Sequence, residues 1–261
     1  MLKGNRIAVA GATGRVGRHV MGVLEERGHE AVPMSRSHGV DIITGDGLDE
    51  ALTGASAIID VATQPSPAEE EATRFFTAAT KNLQAGGRRA GVERIVVVSI
   101  IGVDRFAGGY GAAKLAHEIA MLAGPVPARI LRAAQFHEFV AELMQWGRQD
   151  DVVHVPPMRT QLVAARSVAE ALVDLTLADD PDGGPIWEIA GPRAERLPEV
   201  ARLLASRTGD PARIEEYSDP SDPDHELYAS GALLPGPEAR LAGPTFAEWL
   251  ASTPAAAAPV T

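Results

Sequence analysis

The sequence predicts a doubly wound α/β protein with a parallel sheet and a small C-terminal lobe. Three observations predict it. A buried-strand pattern, Arg6-Ile-Ala-Val-Ala10, runs into Gly11-Ala-Thr-Gly-Arg-Val-Gly17 and then into a helical pattern that stops at Arg27-Gly28. Apolar strand runs then alternate with amphipathic helices as far as Ala128-Arg-Ile-Leu-Arg132, an order that builds a parallel sheet covered on both faces. The chain has 261 residues, 45% of them hydrophobic, enough for one large α/β core.

The elements follow in order. Val16, Val20, Val23 and Leu24 share one face of the first helix. Glu30–Met34 is a second strand, and Asp46 is placed to cap a short helix before Leu52. Ala57–Val61 is a strand. Pro67 to Ala90 is a long helix on Phe75, Ala79 and Leu83, with Gly86-Gly87 weakening its last turns. Arg94–Ser99 is the clearest strand, and a helix opening near Tyr110 runs through Leu115, Ile119 and Leu122. The later third is less regular. Gln135–Met144 reads as helix, Val152–Val155 and Gln161–Ala164 as short strands, and Ser167–Ala178 as a helix capped by Ser167. Ile186–Ala190 is a strand, Leu197–Thr208 a helix, and Ser218–Glu226 an acidic, solvated loop. Phe246–Leu250 is a short helix docking by its aromatics, and 253–261 is a frayed tail. Residues 1–261 thus read as one domain, its lobe drawn from about 135–165 and 186–250.

Several classes are excluded. There are no cysteines, so no disulfides and no thiolate chemistry. A net charge of −11 argues against nucleic acid as a partner. No apolar run approaches a membrane span, and no basic segment followed by an apolar stretch opens the chain, so no signal peptide is expected and the expected location is the cytoplasm. The 7 histidines are scattered without metal-ligand spacing, so no metal is expected.

Two constellations carry chemistry. Gly11 allows a sharp turn, Gly14 a close backbone approach, and Gly17 tight helix packing. The helix N-terminus behind them suits a pyrophosphate, so Gly11, Thr13, Gly14, Arg15, Val16 and Gly17 are cofactor candidates. About 20 positions past the turn, NAD-binding folds place an acid on the ribose hydroxyls. Here Ser35 and Arg36 stand instead, a hydroxyl and a guanidinium suited to a 2′-phosphate, so NADP(H) is expected over NAD(H). Ala62 and Thr63, leaving the third strand, should pass under the cofactor.

The second constellation is Tyr110-x-x-x-Lys114, one helical turn apart in a chain with 3 Tyr and 3 Lys. A lysine ammonium beside a tyrosine, together with an oxidised nicotinamide, favours the phenolate, and bringing a tyrosine from about 10 to about 7 takes about 4 kcal/mol. Tyr110 could then exchange a proton with a carbonyl or alcohol oxygen, with Lys114 its partner and Ser99, at a strand end, holding that oxygen. Ile101, Phe106, Gln135, Phe136 and His137 follow strand ends and should line the substrate pocket, His137 as either a polar anchor or a satisfied structural histidine.

Gly11-x-x-Gly14-x-x-Gly17, Ser99, Tyr110-x-x-x-Lys114 and Leu131-Arg-x-x-Gln-Phe-His137 together resemble an atypical short-chain dehydrogenase/reductase of the NmrA-like, NAD(P)H-binding branch. The resemblance covers about residues 5–250. It implies a Rossmann-type core, a C-terminal lobe over the nicotinamide, NADP(H) preference, an Asp46 near the adenine amino group, and Lys114 on the nicotinamide ribose. It also implies three kinds of function. One is an NADP(H)-dependent reductase of a small carbonyl- or quinone-like molecule. The others are a non-catalytic NADP(H) sensor and an isomerase, epimerase or cyclase on the same fold. Retention of Tyr110 and Lys114 favours the reductase, acting as monomer or homodimer on a small-molecule substrate.

Overall fold

A computed structural model describes residues 6–64, 68–179, 184–210 and 212–253. The expected helix start at Pro67 and the tail from 254 lie outside the described residues. In chain order the elements are β1 (Arg6–Ala10), α1 (Arg15–Glu26), β2 (Glu30–Met34), α2 (Leu48–Leu52), β3 (Ala57–Asp60), α3 (Glu69–Ala90), β4 (Arg94–Ile100), α4 (Gly109–Leu122) and β5 (Ala128–Ala133). There follow α5 (Phe139–Trp146), β6 (Arg148–Gln149), β7 (Val152–Val155), β8 (Arg159–Thr160), α6 (Ala165–Leu177) and β9 (Ile186–Ala190). The chain ends with β10 (Glu195–Arg196), α7 (Leu197–Thr208), β11 (Arg213–Glu216), α8 (His225–Ser230), β12 (Arg240–Leu241) and α9 (Phe246–Ser252).

A seven-stranded sheet runs in the order β12-β9-β5-β4-β3-β1-β2. The pairs β1–β2, β1–β3, β3–β4 and β9–β12 are parallel. Strand order reverses between β1 and β3, so the crevice that open α/β sheets offer to ligands lies at their carboxyl ends. The architecture is the Rossmann-type α/β fold that the alternation implied.

The chain divides into two compact units. The first takes in the segments up to Asp104, Gly108–Arg132 and Arg166–Trp187. Its core includes Ala8, Ala10, Ile58, Ile95, Val97 and Ile130 from the strands, with Leu48, Leu52 and Leu83 from α2 and α3. The first of the two late glycines of α3 has a packing role. A Cβ at Gly86 would stand 3.0 Å from Leu52 Cδ1, so Gly86 lets α2 lie close on α3, while a Cβ at Gly87 would meet Ile58 at 3.4 Å. The second unit holds Arg105–Ala107, Ala133–Ala165 and the chain from Glu188. Its core joins Val140, Met144, Val153 and Val155 to Leu197, Val200, Phe246 and Leu250. Thr245 and Glu248 form a reciprocal capping box that opens α9, whose Phe246 is fully buried.

Five readings are corrected. Asp46 caps nothing. The N-cap of α2 is Gly47, at φ +71°, where a Cβ would overlap the Gly39 carbonyl. The local acceptor is Asp41, whose carboxylate takes the Ile43 N–H at 2.8 Å. The helix expected from Gln135 begins at Phe139, because Phe136 bridges Val163 and the His137 N–H donates to the Val163 carbonyl at 3.0 Å. The strand expected at 161–164 is instead β8, paired with β10. Ser167 lies inside α6; the helix starts at Ala165, whose N–H donates to the Glu138 carboxylate. The acidic loop is not wholly solvated, since Asp224 is buried and accepts the Ala107 N–H at 2.8 Å.

α4 departs furthest from expectation. Ile119 is 61% exposed and Leu122 37%, while Lys114, His117 and Glu118 are buried. Its inner face carries charge. Likewise Phe76, not Phe75, centres the inner face of α3.

Two glycines of α1 separate close packing from helix propensity. A Cβ at Gly17 would overlap the Gly11 carbonyl, whereas one at Gly22 meets nothing nearer than Glu26 Oε1 at 4.0 Å. Gly17→Ala should therefore destabilise the protein by about 2 kcal/mol or more. Gly22→Ala should stabilise it by about 0.5–1 kcal/mol. Urea unfolding midpoints check both, and equal shifts for the two variants would contradict the packing described.

Candidate active site

The glycine turn is fastened to both strands beside β1. Gly11 sits at φ +79°, and a Cβ there would lie 2.8 Å from Ala62 Cα and 2.9 Å from Ala62 N. Only glycine lets the turn rest on the exit of β3. The Gly11 N–H donates to the Met34 carbonyl at the end of β2, and the Gly14 N–H donates to the Gly11 carbonyl. Gly17 packs against this turn itself, at Gly11 and Ala12, rather than against the sheet.

Thr13 and Gly14 are exposed, Arg15 is half-buried, and Val16 is buried with the core. Gly14, the N-cap of α1, brings no side-chain acceptor, and no acid stands in the first turn. The first-turn N–H donors thus have no intrahelical acceptor and sit at the positive end of the helix dipole. At the reversal of strand order, this cradle fits a dinucleotide pyrophosphate.

Past β2, Ser35 Oγ lies 2.9 Å from Ser37 Oγ and 2.7 Å from His38 Nδ1. Arg36 is exposed, and its guanidinium has no partner among the described residues. The turn offers one guanidinium, two hydroxyls and an imidazole. Sequence reading singled out only Ser35 and Arg36. Asp46 is exposed and, among the described residues, makes only backbone hydrogen bonds, to Thr44 and Asp41.

The Tyr–Lys pair lies next to the cradle. Tyr110 OH is 2.9 Å from Thr63 Oγ1, one residue past the Ala62 that touches Gly11. Glu69 of α3 accepts the Gly109 N–H at 2.8 Å and fixes the start of α4. One turn on, Lys114 is 4% exposed. Its Nζ stands 3.2 Å from His117 Nδ1 and 4.5 Å over the Phe76 ring. The His117 ring stacks on Phe76, centroids 4.6 Å apart. His117 Nε2 faces Asp60 Oδ2 at 3.3 Å, and Asp60 Oδ1 accepts the Ala62 N–H at 3.0 Å. Ser99 is buried, its hydroxyl without a partner among the described residues.

The chain's own groups do not by themselves lower the Tyr110 hydroxyl. Burial pushes the Tyr110 hydroxyl up; the Thr63 hydrogen bond opposes this and the Asp60 charge reinforces it. The Lys114 ammonium, whose contacts are His117 and Phe76, is not among the groups that act on that hydroxyl. Tyr110 is therefore a protonated phenol at neutral pH, a donor rather than a phenolate. Burial pulls Lys114 down to about 8, against Asp60 and Glu118, which raise it. Burial acts to raise the Asp60 carboxyl, but His117, Lys114 and the Ala62 N–H outweigh it and hold Asp60 below the usual carboxylate range. His117 is pushed down by burial and by the Lys114 charge, against Asp60 and Glu118. Asp60 and His117 were missed in the sequence. The available signal was a polar i, i+3 pair on the Tyr110 helix and an acid closing an otherwise apolar strand.

The expected pocket residues divide between the units. Ile101 is buried in the first. In the second, Phe106 packs near Tyr228, centroids 6.4 Å apart, and the Gln135 amide oxygen accepts the Thr160 hydroxyl. Phe136 is half-buried beside Val163. The contacts of His137 are packing contacts: its Nε2 donates to the Pro244 carbonyl at 3.1 Å, and it packs on Phe246 and Trp249. Burial pulls it down to about 4, so it stays neutral. Among the described residues no group of three or more His, Asp or Glu could hold a metal, and no helix is long and apolar enough to cross a membrane.

Residues 11–135 match the family model for NAD(P)H-binding domains. No curated protein matches the chain. Among solved structures, it is similar to MoeE5 in complex with UDP-glucuronic acid and NAD, at 20% identity and TM-score 0.73, over 95% of this chain and 97% of that one. It is also similar to a UDP-N-acetylglucosamine 4-epimerase from Bacillus cereus, at 17% identity and TM-score 0.67, over 94% of each chain. A third is the NAD-dependent NDP-hexosamine 5,6-dehydratase TunA, at 16% identity and TM-score 0.69, over 95% of each chain. These likenesses establish the fold. The matched stretch runs from Gly11 to Gln135 and contains the whole Asp60–Tyr110–Lys114–His117 cluster.

A buried ammonium leaves a mark on stability. Lys114 releases its proton at about 8 in the folded chain and at 10.5 when unperturbed. Between those values the unfolded chain binds more protons, so unfolding free energy rises with pH. Below the window the buried charge costs about 3 kcal/mol. Lys114→Met should flatten this rise, measured by urea unfolding across the window. Parallel curves for the two proteins would refute the burial of the charge.

Proposed function

We propose that this Rossmann-type NAD(P)H-binding chain, akin to the NmrA-like branch of the short-chain dehydrogenase/reductases, is an NADP(H)-dependent oxidoreductase of a small carbonyl- or quinone-like molecule. The observation that supports it is the run of contacts from cradle to proton donor. Gly11 rests on Ala62, Thr63 follows, and Tyr110 hydrogen-bonds Thr63. The cofactor, when bound, supplies the hydride.

The chain supplies the rest. Gly14 and the α1 N-terminus hold the pyrophosphate. Arg36, with Ser35 beside it, takes the 2′-phosphate in place of the acid that would select NAD. Tyr110, kept protonated by burial, donates its proton to the substrate oxygen as charge develops there, which favours reduction. Ser99 offers its unpartnered hydroxyl to the same oxygen. Buried charge of this kind is costly and is a mark of functional sites.

Two measurements test the reading. Tyr110→Phe removes only the hydroxyl. NADPH oxidation with a responsive member of a carbonyl and quinone panel should fall by about 10²–10⁴, with NADPH affinity nearly unchanged. Wild-type turnover in that variant would remove the acid role, and tight NADPH binding without turnover of any panel member would favour a sensor. Arg36→Asp should lower the NADP(H)-over-NAD(H) preference about ten-fold or more, for a charge-assisted contact of about 1.5–3 kcal/mol. Calorimetric dissociation constants for both cofactors decide this, and an unchanged ratio would sink the phosphate assignment.

A further inference from the structure

Two buried polar residues have no task in the proposed reaction. Asp60 and His117 are each 2% exposed. Burying a carboxylate beside an imidazole is unfavourable unless each meets a partner. Their arrangement is directional. His117 Nδ1, 3.2 Å from the Lys114 ammonium, can only accept there, because the ammonium has no acceptor. The ring proton therefore sits on Nε2, which faces the Asp60 Oδ2 charge at 3.3 Å, an electrostatic contact rather than an aligned hydrogen bond. Asp60 is itself fixed, since its other oxygen takes the Ala62 N–H at the exit of β3. Phe76 closes the remaining side, stacked on the imidazole and lying under the ammonium.

We propose that Asp60 and His117 are positioning residues for Lys114: the carboxylate holds the imidazole in its Nε2–H tautomer, and Nδ1 holds the ammonium in place one helical turn from Tyr110. His117 does not touch the reacting atoms; it acts through Lys114. The other charges that bear on this group are accounted for. Glu118, from α4 itself, is held by Arg132 of β5, whose guanidinium also reaches Asp104. Asp60 comes from β3, α3 brings the Phe76 ring, and Tyr110 is neutral. The role in catalysis rests on the oxidoreductase reading; the hold on Lys114 does not.

The test reads Lys114 directly. The chain has only three lysines, Lys3, Lys81 and Lys114, so ¹³Cε-lysine NMR resolves them, with Lys114→Arg and Lys81→Arg for assignment. In the wild type Lys114 should titrate near 8. His117→Phe keeps a ring on Phe76 but removes the acceptor, and should lower that midpoint by about one unit or more. Asp60→Asn should lower it too, and His117→Asn, which restores an acceptor oxygen, should recover part of the loss. A His117 that merely fills space would leave the midpoint where it is, which would overturn the proposal. Ring ¹⁵N spectra of wild type, with the signal assigned by its loss in His117→Asn, need no folded Phe variant. They should show the Nε2–H tautomer at neutral pH, and a protonated Nδ1 would equally overturn the proposal. If these results hold and no substrate is reduced, the oxidoreductase reading fails alone.

Discussion

A lysine ammonium inside the first unit is the constraint on which its architecture turns. A buried charge is tolerated only where its partners are also buried and correctly placed. α4 meets that demand by turning its charged residues inward and leaving Ile119 and Leu122 outside. Each inward charge is answered: Lys114 by His117 and Phe76, and Glu118 by a two-pronged Arg132 guanidinium. α3 in turn holds the far end of α4. Gln84 donates to the Met121 carbonyl at 2.9 Å and accepts the Val126 N–H at 2.8 Å, so one amide joins α3 to the turn after α4. The position of the ammonium is thus set by two helices and a strand rather than by Lys114's own flexible stem.

The same strand end serves both halves of the site. β3 closes on Asp60, whose carboxylate takes the Ala62 N–H, and Ala62 is the residue on which Gly11 rests. A shift at the cradle would therefore reach Thr63 and Tyr110 on one side and His117 on the other. This compactness follows from topology: the reversal of strand order opens a crevice between β1 and β3, and that is where the glycine turn and Asp60 both emerge.

The legible parts of the sequence were those whose signal is local. β1, β2, β3, β9 and α7 could be read because buried strands and amphipathic helices announce their own periodicity. The glycine turn and the Tyr110–Lys114 spacing were legible for the same reason. Elements fixed by distant partners were not. Gln135 and Phe136 carry a helical pattern, but their backbone is claimed by Val163. The α2 cap depends on how closely Gly47 approaches Gly39, which no propensity encodes. Asp60 and His117 could not be joined from the sequence, because their pairing exists only once β3 and α4 are packed. The surroundings of the Tyr110 hydroxyl were illegible for a related reason: four-residue spacing places Lys114 on its face but does not reveal the burial and the Asp60 charge that push the hydroxyl up.

Two histidines show how chemistry separates structural from functional burial when burial itself does not. His137 is 1% exposed and His117 is 2%. Around His137 stand a backbone carbonyl, a phenylalanine and an indole, none of which titrates near neutrality. Its ring donates one hydrogen bond and otherwise packs, and an amide or an aromatic could fill much of that role. Around His117 stand a carboxylate on one nitrogen and an ammonium on the other. That ring cannot change protonation, tautomer or orientation without disturbing one of two buried charges, and each of those charges lies within two residues or one helical turn of the cradle or the proton donor. Lone histidines in apolar surroundings specify a fold. One held between opposite charges also specifies where a charge must be, and here that charge belongs to the residue one helical turn from the tyrosine.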